Sequence, residues 1–240
     1  MCFFRRHSFE EIAFLKGATD FHSHILPGVD DGIRTMDDAL AVLAFYEESG
    51  VREVWLTPHI MEDVPNEPDA LRLRFGELRA AYKGDIVLHL AAENMMDALF
   101  EQRFFDENLL RMGAENNYIL VETSYFNPPM RLYEMLDEIR SQGMFAILAH
   151  PERYLYMSRK DYDRLKDMGV LFQLNLMSIA GVYGPDAAAK AHRLLIDGRY
   201  DFYGSDIHRL EPFRKAMSSK VLSSREADAL LSLRDKAQIL

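Results

Sequence analysis

Residues able to bind a metal recur at short spacings in this chain. The densest run is Asp20-Phe21-His22-Ser23-His24-Ile25-Leu26-Pro27-Gly28-Val29-Asp30-Asp31-Gly32. Residues 18–21 read as a short strand. On a strand, positions i and i+2 share a face, so His22 and His24 converge on one point. Pro27-Gly28 and Asp31-Gly32 then turn the chain and present the Asp30 and Asp31 carboxylates. Imidazole and carboxylate together are a ligand set for Zn, Mn or Fe. Within this fragment alone, a histidine pair satisfying backbone groups at a strand end is an equally good reading.

The elements that would carry such a site alternate regularly. Thr35 caps a helix over 36–49, with Asp38 three residues on, and Gly50 stops it. A strand follows over 52–57, then an amphipathic helix over 68–83 and a strand over 86–92. A less regular helical stretch over 98–110 precedes a strand over 118–121 and a helix over 129–141. Further strands are read at 144–149, 170–176 and 201–204, with helices at 161–168, 186–196 and 225–237. This alternation marks βα units around a parallel sheet.

Ligand-type residues fall where these strands stop. His22/His24, His59, Glu93, Glu122, His150 and Asp206/His208 end six of the seven strands. In a barrel of parallel strands all those ends open onto one face. Each residue has a dull explanation on its own, Asp206 for instance as a helix cap. At six strand ends together, a metal site is the better explanation.

Composition narrows the function classes. With 240 residues, 48% hydrophobic and 28% charged, the chain suits one α/β barrel or two ordinary domains. No repeat, linker or low-complexity tract marks a boundary. Cys2 is the single cysteine, which excludes a disulfide framework and a Cys-x5-Arg phosphatase loop and fits a reducing cytosol. A net charge of −10 argues against nonspecific nucleic-acid binding and agrees with a carboxylate-lined cation site. No apolar run is long enough for a membrane span. The opening Met1-Cys2-Phe3-Phe4-Arg5-Arg6-His7 does not read as a signal peptide, and Phe3 and Phe4 are expected to pack on the barrel exterior.

The ordered motifs D-F-H-S-H-I-L-P-G-V-D-D-G, T-P-H, A-A-E, V-E-T-S, A-H-P-E-R-Y and S-D-I-H resemble the polymerase-and-histidinol-phosphatase (PHP) superfamily. More narrowly, they resemble its manganese-dependent bacterial protein-tyrosine phosphatases from capsule and exopolysaccharide loci, over residues 18–214. The resemblance implies a distorted (β/α)7 TIM-like barrel filling 1–240, with 1–17 as an N-terminal extension. It implies three divalent metals, Mn foremost, with Fe, Co or Zn accepted by the same ligands. His22, His24, Glu93 and Asp206 would hold the first. Glu93 would bridge to a second, completed by Glu122 and His150. Asp31, His59 and His208 would hold the third, with Asp30 an alternative to Asp31. Arg153 and Arg214 match the phosphate-binding arginines, and His208 counts among the catalytic residues.

The implied activity is hydrolysis of protein phosphotyrosine in the cytoplasm. The implied substrate is the tyrosine-rich tail of a bacterial tyrosine kinase controlling polysaccharide export. A hydroxide bridging two metals is nucleophilic near neutral pH, because coordination lowers the pKa of water from 15.7 to about 7. Arg153 offers a two-pronged fork to phosphoryl oxygens, and a tyrosyl leaving group, with pKa about 10, departs more easily than an alkoxide. The rival readings are a PHP phosphatase of a small metabolite such as histidinol phosphate, and a non-catalytic barrel binding phosphotyrosine tails. Three departures from the pattern remove no ligand: Asn94 follows Glu93, V-E-T-S replaces I-E-F, and the segment between His208 and Arg214 is longer by one, which weakens the match of Arg214. Tyr125-Phe126-Asn127-Pro128-Pro129 is a candidate wall for the substrate ring, as are Tyr154 and Tyr156. Asn175 is expected to orient the site by hydrogen bonding, whereas His7, His89 and His192 fit no ligand position.

Overall fold

The computed structural model describes residues 5–115 and 117–237. Its strands are β1 (Thr19–Ser23), β2 (Glu53–Leu56), β3 (His59–Ile60), β4 (Val87–Leu90), β5 (Glu93–Met95), β6 (Tyr118–Glu122), β7 (Phe145–Ala149), β8 (Leu171–Asn175) and β9 (Phe202–Gly204). All pairings between them are parallel and follow chain order, β1-β2-β4 in one sheet and β3-β5-β6-β7-β8-β9 in the other. The two sheets are halves of one surface. β2 and β3 are a single strand interrupted at Thr57-Pro58, where proline supplies no N–H to a ladder. β4 and β5 part at Ala91-Ala92, and Asn94 spans that break by donating to Ala92 O at 3.0 Å and Leu120 O at 3.1 Å.

The first and last strands meet. Ser23 bridges Ile207, the Asp206 N–H donates to His22 O at 2.8 Å, and the His24 N–H to Ile207 O at 3.2 Å. The Asp20 carboxylate fastens this seam by accepting from Ser205 N at 2.8 Å, Ser205 Oγ at 2.6 Å and the Tyr46 hydroxyl at 2.8 Å. The curled parallel sheet therefore matches the barrel expected from the alternating pattern.

Most helices connect successive strands along the chain, and two follow β9. In α1 (Met36–Ser49), Thr35 accepts the Asp38 N–H at 3.1 Å, and Gly50 ends the helix in the left-handed region at φ 82°. α2 (Pro68–Ala81), α4 (Leu132–Ser141), α5 (Arg159–Asp167), α7 (Pro185–Ile196) and α9 (Ser224–Lys236) lie within a few residues of their expected bounds. The stretch read as helical over 98–110 contains only α3 (Phe100–Phe105), since Glu107 turns left-handed at φ 55° and cannot continue it. Two short helices were not foreseen: α6 (Leu176–Ile179), capped by Asn175, and α8 (Leu210–Ser218). Pro212 falls in the first turn of α8, where helical N–H groups lack partners anyway.

One apolar core runs from Phe9 to Leu233. Phe9 and Phe14 belong to it, and the Phe14 ring meets Tyr203 edge-on at 5.0 Å. His7 bridges Leu222, so the described part of the N-terminal extension is packed against the body. Cys2, Phe3 and Phe4 lie outside the described residues. Among the described residues no helix is long and apolar enough to cross a membrane.

Candidate metal centre

The broken strands and the β1–β9 seam bring the strand-end ligands together. His22 Nε2 lies 3.2 Å from Glu93 Oε2 and 3.6 Å from Asp206 Oδ1. His24 Nε2 lies 3.3 Å from each of the same two oxygens. His59 Nδ1 is 3.1 Å from Glu93 Oε2 and 2.9 Å from Glu122 Oε1. Three overlapping groups result, each compact enough for one ion: His22/His24/Glu93/Asp206, His59/Glu93/Glu122 and His24/Asp31/His59/His208.

His150 adds to the second group, with Nε2 at 2.9 Å from Glu93 Oε1 and 3.8 Å from Glu122 Oε2. Asp31 and Asp30 divide their work. Asp31 faces His208 Nε2 at 3.3 Å and His59 Nε2 at 3.6 Å, at the exposed end of the cluster. Asp30 turns behind the cluster to His24 Nδ1, at 2.8 Å.

The electrostatics fit bound cations. Asp30 takes the Nδ1 proton of His24, and Gln173 Oε1 takes that of His22 at 2.9 Å. With Nδ1 so engaged, the two Nε2 atoms face each other only 3.1 Å apart, an arrangement that needs a proton or a metal cation between them. Glu93 Oε2, Glu122 Oε1 and His59 Nδ1 are buried without an aligned hydrogen-bond partner, and three such atoms in one place match the donors of a metal site. Burial presses the His22 pKa down, but Glu93 and Asp206 outweigh it and lift it to about 9. Glu93 and Asp206 are themselves held well below the usual carboxylate range, since the surrounding imidazoles overcome the desolvation that would raise them. A metal entering the site replaces those imidazole protons.

Backbone geometry marks the same residues. His150 at φ 33° and Asp206 at φ 50° occupy the left-handed region, which costs roughly 1–3 kcal/mol for a non-glycine residue. Gly32 and Gly204 make room for the imidazoles. A Cβ on Gly32 would meet His24 O at 2.4 Å, and one on Gly204 would meet His22 Cβ at 2.4 Å.

Of the two candidate arginines, one joins the cluster. Arg153 Nη1 donates to Asp206 Oδ2 at 3.0 Å. Arg214 is exposed on α8, with its guanidinium 4.8 Å from the Phe45 ring centroid and no ion pair to any ligand. Arg209 instead reaches the first loop, donating to Asp31 O at 2.8 Å. Asn175 does orient the site, through a 2.6 Å bond from Nδ2 to Asp206 Oδ2. Glu152, next to Arg153, faces inward to the Asn175 N–H at 3.0 Å and the Tyr200 hydroxyl at 2.9 Å. His89 stacks on Trp55, and His7 and His192 lie beside Ser224 and Glu226, all away from the ligands.

Sequence reasoning did not single out Gln173, Asp30 as an orienting group, or Tyr183. For Gln173 a signal existed: in V-L-F-Q-L-N-L it precedes Asn175 by two positions, so both face inward from β8.

The sequence profile of a family described as capsular polysaccharide synthesis, CpsB/CapC, matches residues 18–223. The chain belongs to that family. Its CpsB/CapC relatives include the tyrosine-protein phosphatase YwqE of Bacillus subtilis (strain 168), 29% identical over 198 residues, which span 80% of this chain and 78% of YwqE. The tyrosine-protein phosphatase CpsB of Streptococcus pneumoniae is 30% identical over 164 residues, 65% of this chain and 66% of that protein. Crystal structures described for YwqE and CpsB as metal-dependent tyrosine phosphatases provide a match with TM-score 0.74 at 24% identity, covering 92% of this chain and 99% of the other. The phosphotriesterase homology protein of Escherichia coli, crystallised with phosphate in its active site, matches with TM-score 0.52 at 13% identity over 89% of this chain and 95% of that one. The CpsB/CapC chain thus has the TIM-like barrel of PHP and phosphotriesterase-type proteins.

Proposed function

We propose that this chain is a metal-dependent phosphatase that hydrolyses phosphotyrosine on proteins. The observation that carries the reading is the placement of Arg153 on Asp206, at the edge of three overlapping donor groups, two of which share Glu93. Ions held there supply an activated water and offset phosphoryl charge. The chain's own residues supply the rest. Arg153 binds phosphoryl oxygens with the edge of its guanidinium not engaged by Asp206. Asn175 and Gln173 fix Asp206 and His22, so the donors need not reorganise when substrate arrives. His208 and Asp31 form the solvent side of the cluster, which in this reading faces the leaving tyrosyl oxygen.

The count of three ions is supported by the three groups. Their mixture of imidazole and carboxylate, with no thiolate, suits Mn and also Fe, Co or Zn. His22, His24, Glu93 and Asp206 hold the first ion in this reading. Glu93, Glu122 and His150, with His59 beside them, hold the second; Asp31, His59 and His208 hold the third. A tyrosine-rich kinase tail is the proposed substrate and the cytoplasm the proposed location. The relatives named above are tyrosine-protein phosphatases, which supports the substrate class.

The test compares kcat/KM on a phosphotyrosyl peptide, a phosphoseryl peptide and histidinol phosphate, with metal content measured on the same sample. Preference for the phosphotyrosyl peptide is expected. Preference for histidinol phosphate would replace this reading with a metabolite phosphatase. Tight peptide binding without turnover at full metal content would make the barrel a binding module.

A further inference from the structure

Arg153 packs over two tyrosine rings. Its Cζ is 4.5 Å from the ring centroid of Tyr125 and 3.9 Å from that of Tyr183. The rings come from separate connections, Tyr125 from the segment after β6 and Tyr183 from the segment between α6 and α7. The Tyr183 hydroxyl donates to Asp206 Oδ2 at 3.3 Å, the same oxygen that receives Arg153 Nη1. Tyr125 is held from behind. Its ring stacks on Tyr154 at 6.1 Å, and its carbonyl accepts the Leu155 N–H at 2.8 Å. The Tyr154 hydroxyl in turn donates to Ala149 O at 2.9 Å, at the end of β7.

We propose that Tyr125 and Tyr183 are positioning residues that clamp the Arg153 guanidinium by both faces and aim its free edge at the phosphoryl group. The inference rests on the assignment of Arg153 to phosphate. A guanidinium is flat and weakly hydrated, so it stacks well on aromatic faces, and an ammonium has no such faces to grip. A clamp of rings also differs from a clamp of carboxylates in its effect on charge. The ring quadrupole steadies the cation without neutralising it, so most of the positive charge remains for a phosphate dianion. A second carboxylate in place of either ring would compete with the substrate. The arginine side chain is otherwise long and flexible, and holding it ahead of binding removes an ordering step from the reaction.

The experiment measures kcat, KM and bound metal on a phosphotyrosyl peptide for Tyr125→Leu, Tyr183→Leu and the corresponding Phe variants. Each is made in the native chain and in the Arg153→Lys background. Each leucine change in the native chain should lower kcat/KM by roughly tenfold at unchanged metal content. Phenylalanine, which keeps the ring, should restore most of the activity. In the Arg153→Lys background the leucine changes should have little further effect, because the clamp has lost its flat partner. If a leucine variant does not fold, Met at the same position fills the space without a quadrupole and takes its place.

Undiminished activity in the leucine variants, or equal losses in both backgrounds, would overturn the clamp. So would a Tyr183→Phe variant as impaired as Tyr183→Leu, since the hydroxyl would then be the working group. Wild-type kinetics for Arg153→Ala would defeat the phosphate assignment itself. An impaired Arg153→Ala with intact leucine variants would defeat only the clamp.

Discussion

Asp30 Oδ2 lies 2.8 Å from His24 Nδ1 and accepts the backbone N–H of His59 at 3.1 Å. One carboxylate therefore orients two of the ligand-bearing segments while touching no shared donor atom. Its other oxygen takes the Gly32 N–H at 2.9 Å, which ties the first loop down as well. Asp30→Ala should weaken metal binding by about ten- to a hundredfold while the barrel stays folded. Metal titration alongside circular dichroism checks this, and native affinity would mean that His24 is oriented by other groups.

Removal of metal should abolish hydrolysis, and added manganese should restore it. Thiol alkylation should leave the rate unchanged, because Cys2 is the chain's one cysteine and the donor groups are built of imidazoles and carboxylates. Inactivation by alkylation with metal still bound would point to a different nucleophile.

Glu93 touches His22, His24, His59 and His150 within 3.3 Å, more imidazoles than any neighbouring carboxylate reaches. Glu93→Gln keeps the shape but removes the charge, so bound metal and activity should both fall sharply. The far-ultraviolet circular dichroism spectrum should stay native, since Glu93 lies at a strand end and outside the apolar core. A variant that unfolds would give this residue a structural role instead.

Arg153→Ala should lower kcat/KM by about a hundred- to a thousandfold, the loss typical of one donor to developing charge, and Lys should recover part of it. Metal content should not change. Arg214→Ala should cost far less, because that guanidinium rests on Phe45 outside the cluster. Equal losses for the two would show that Arg214 leaves Phe45 during turnover.

The alternation of strands and helices was legible because each strand is a short apolar run and each ligand sits where the run stops. His59 and Glu93 follow that rule even though their strands are broken. The break at Pro58 could be read from the missing N–H, but the one before Glu93 depends on Asn94 bonding across to Leu120, a contact no local pattern encodes. α8 was hidden by Pro212, which reads as a helix breaker until its place in the first turn is known. The choice between Asp30 and Asp31 could not be made from the sequence, since both lie in one turn and side-chain direction there depends on the far end of the chain. Arg214 matched a pattern by position, yet its neighbour on α1 gives it a nearer aromatic partner. Tyr183 was invisible for a similar reason, as its loop meets Arg153 only in three dimensions.

The seam that joins Asp20 to Ser205 spans 185 positions of chain, and the first donor group straddles it. On a ribosome, His22 and His24 emerge well before Asp206. A chain cut short before β9 holds three of those four donors, His22, His24 and Glu93, and should grip an ion less firmly. In this reading loading awaits the docking of β9, and a product cut short before it should show little hydrolysis.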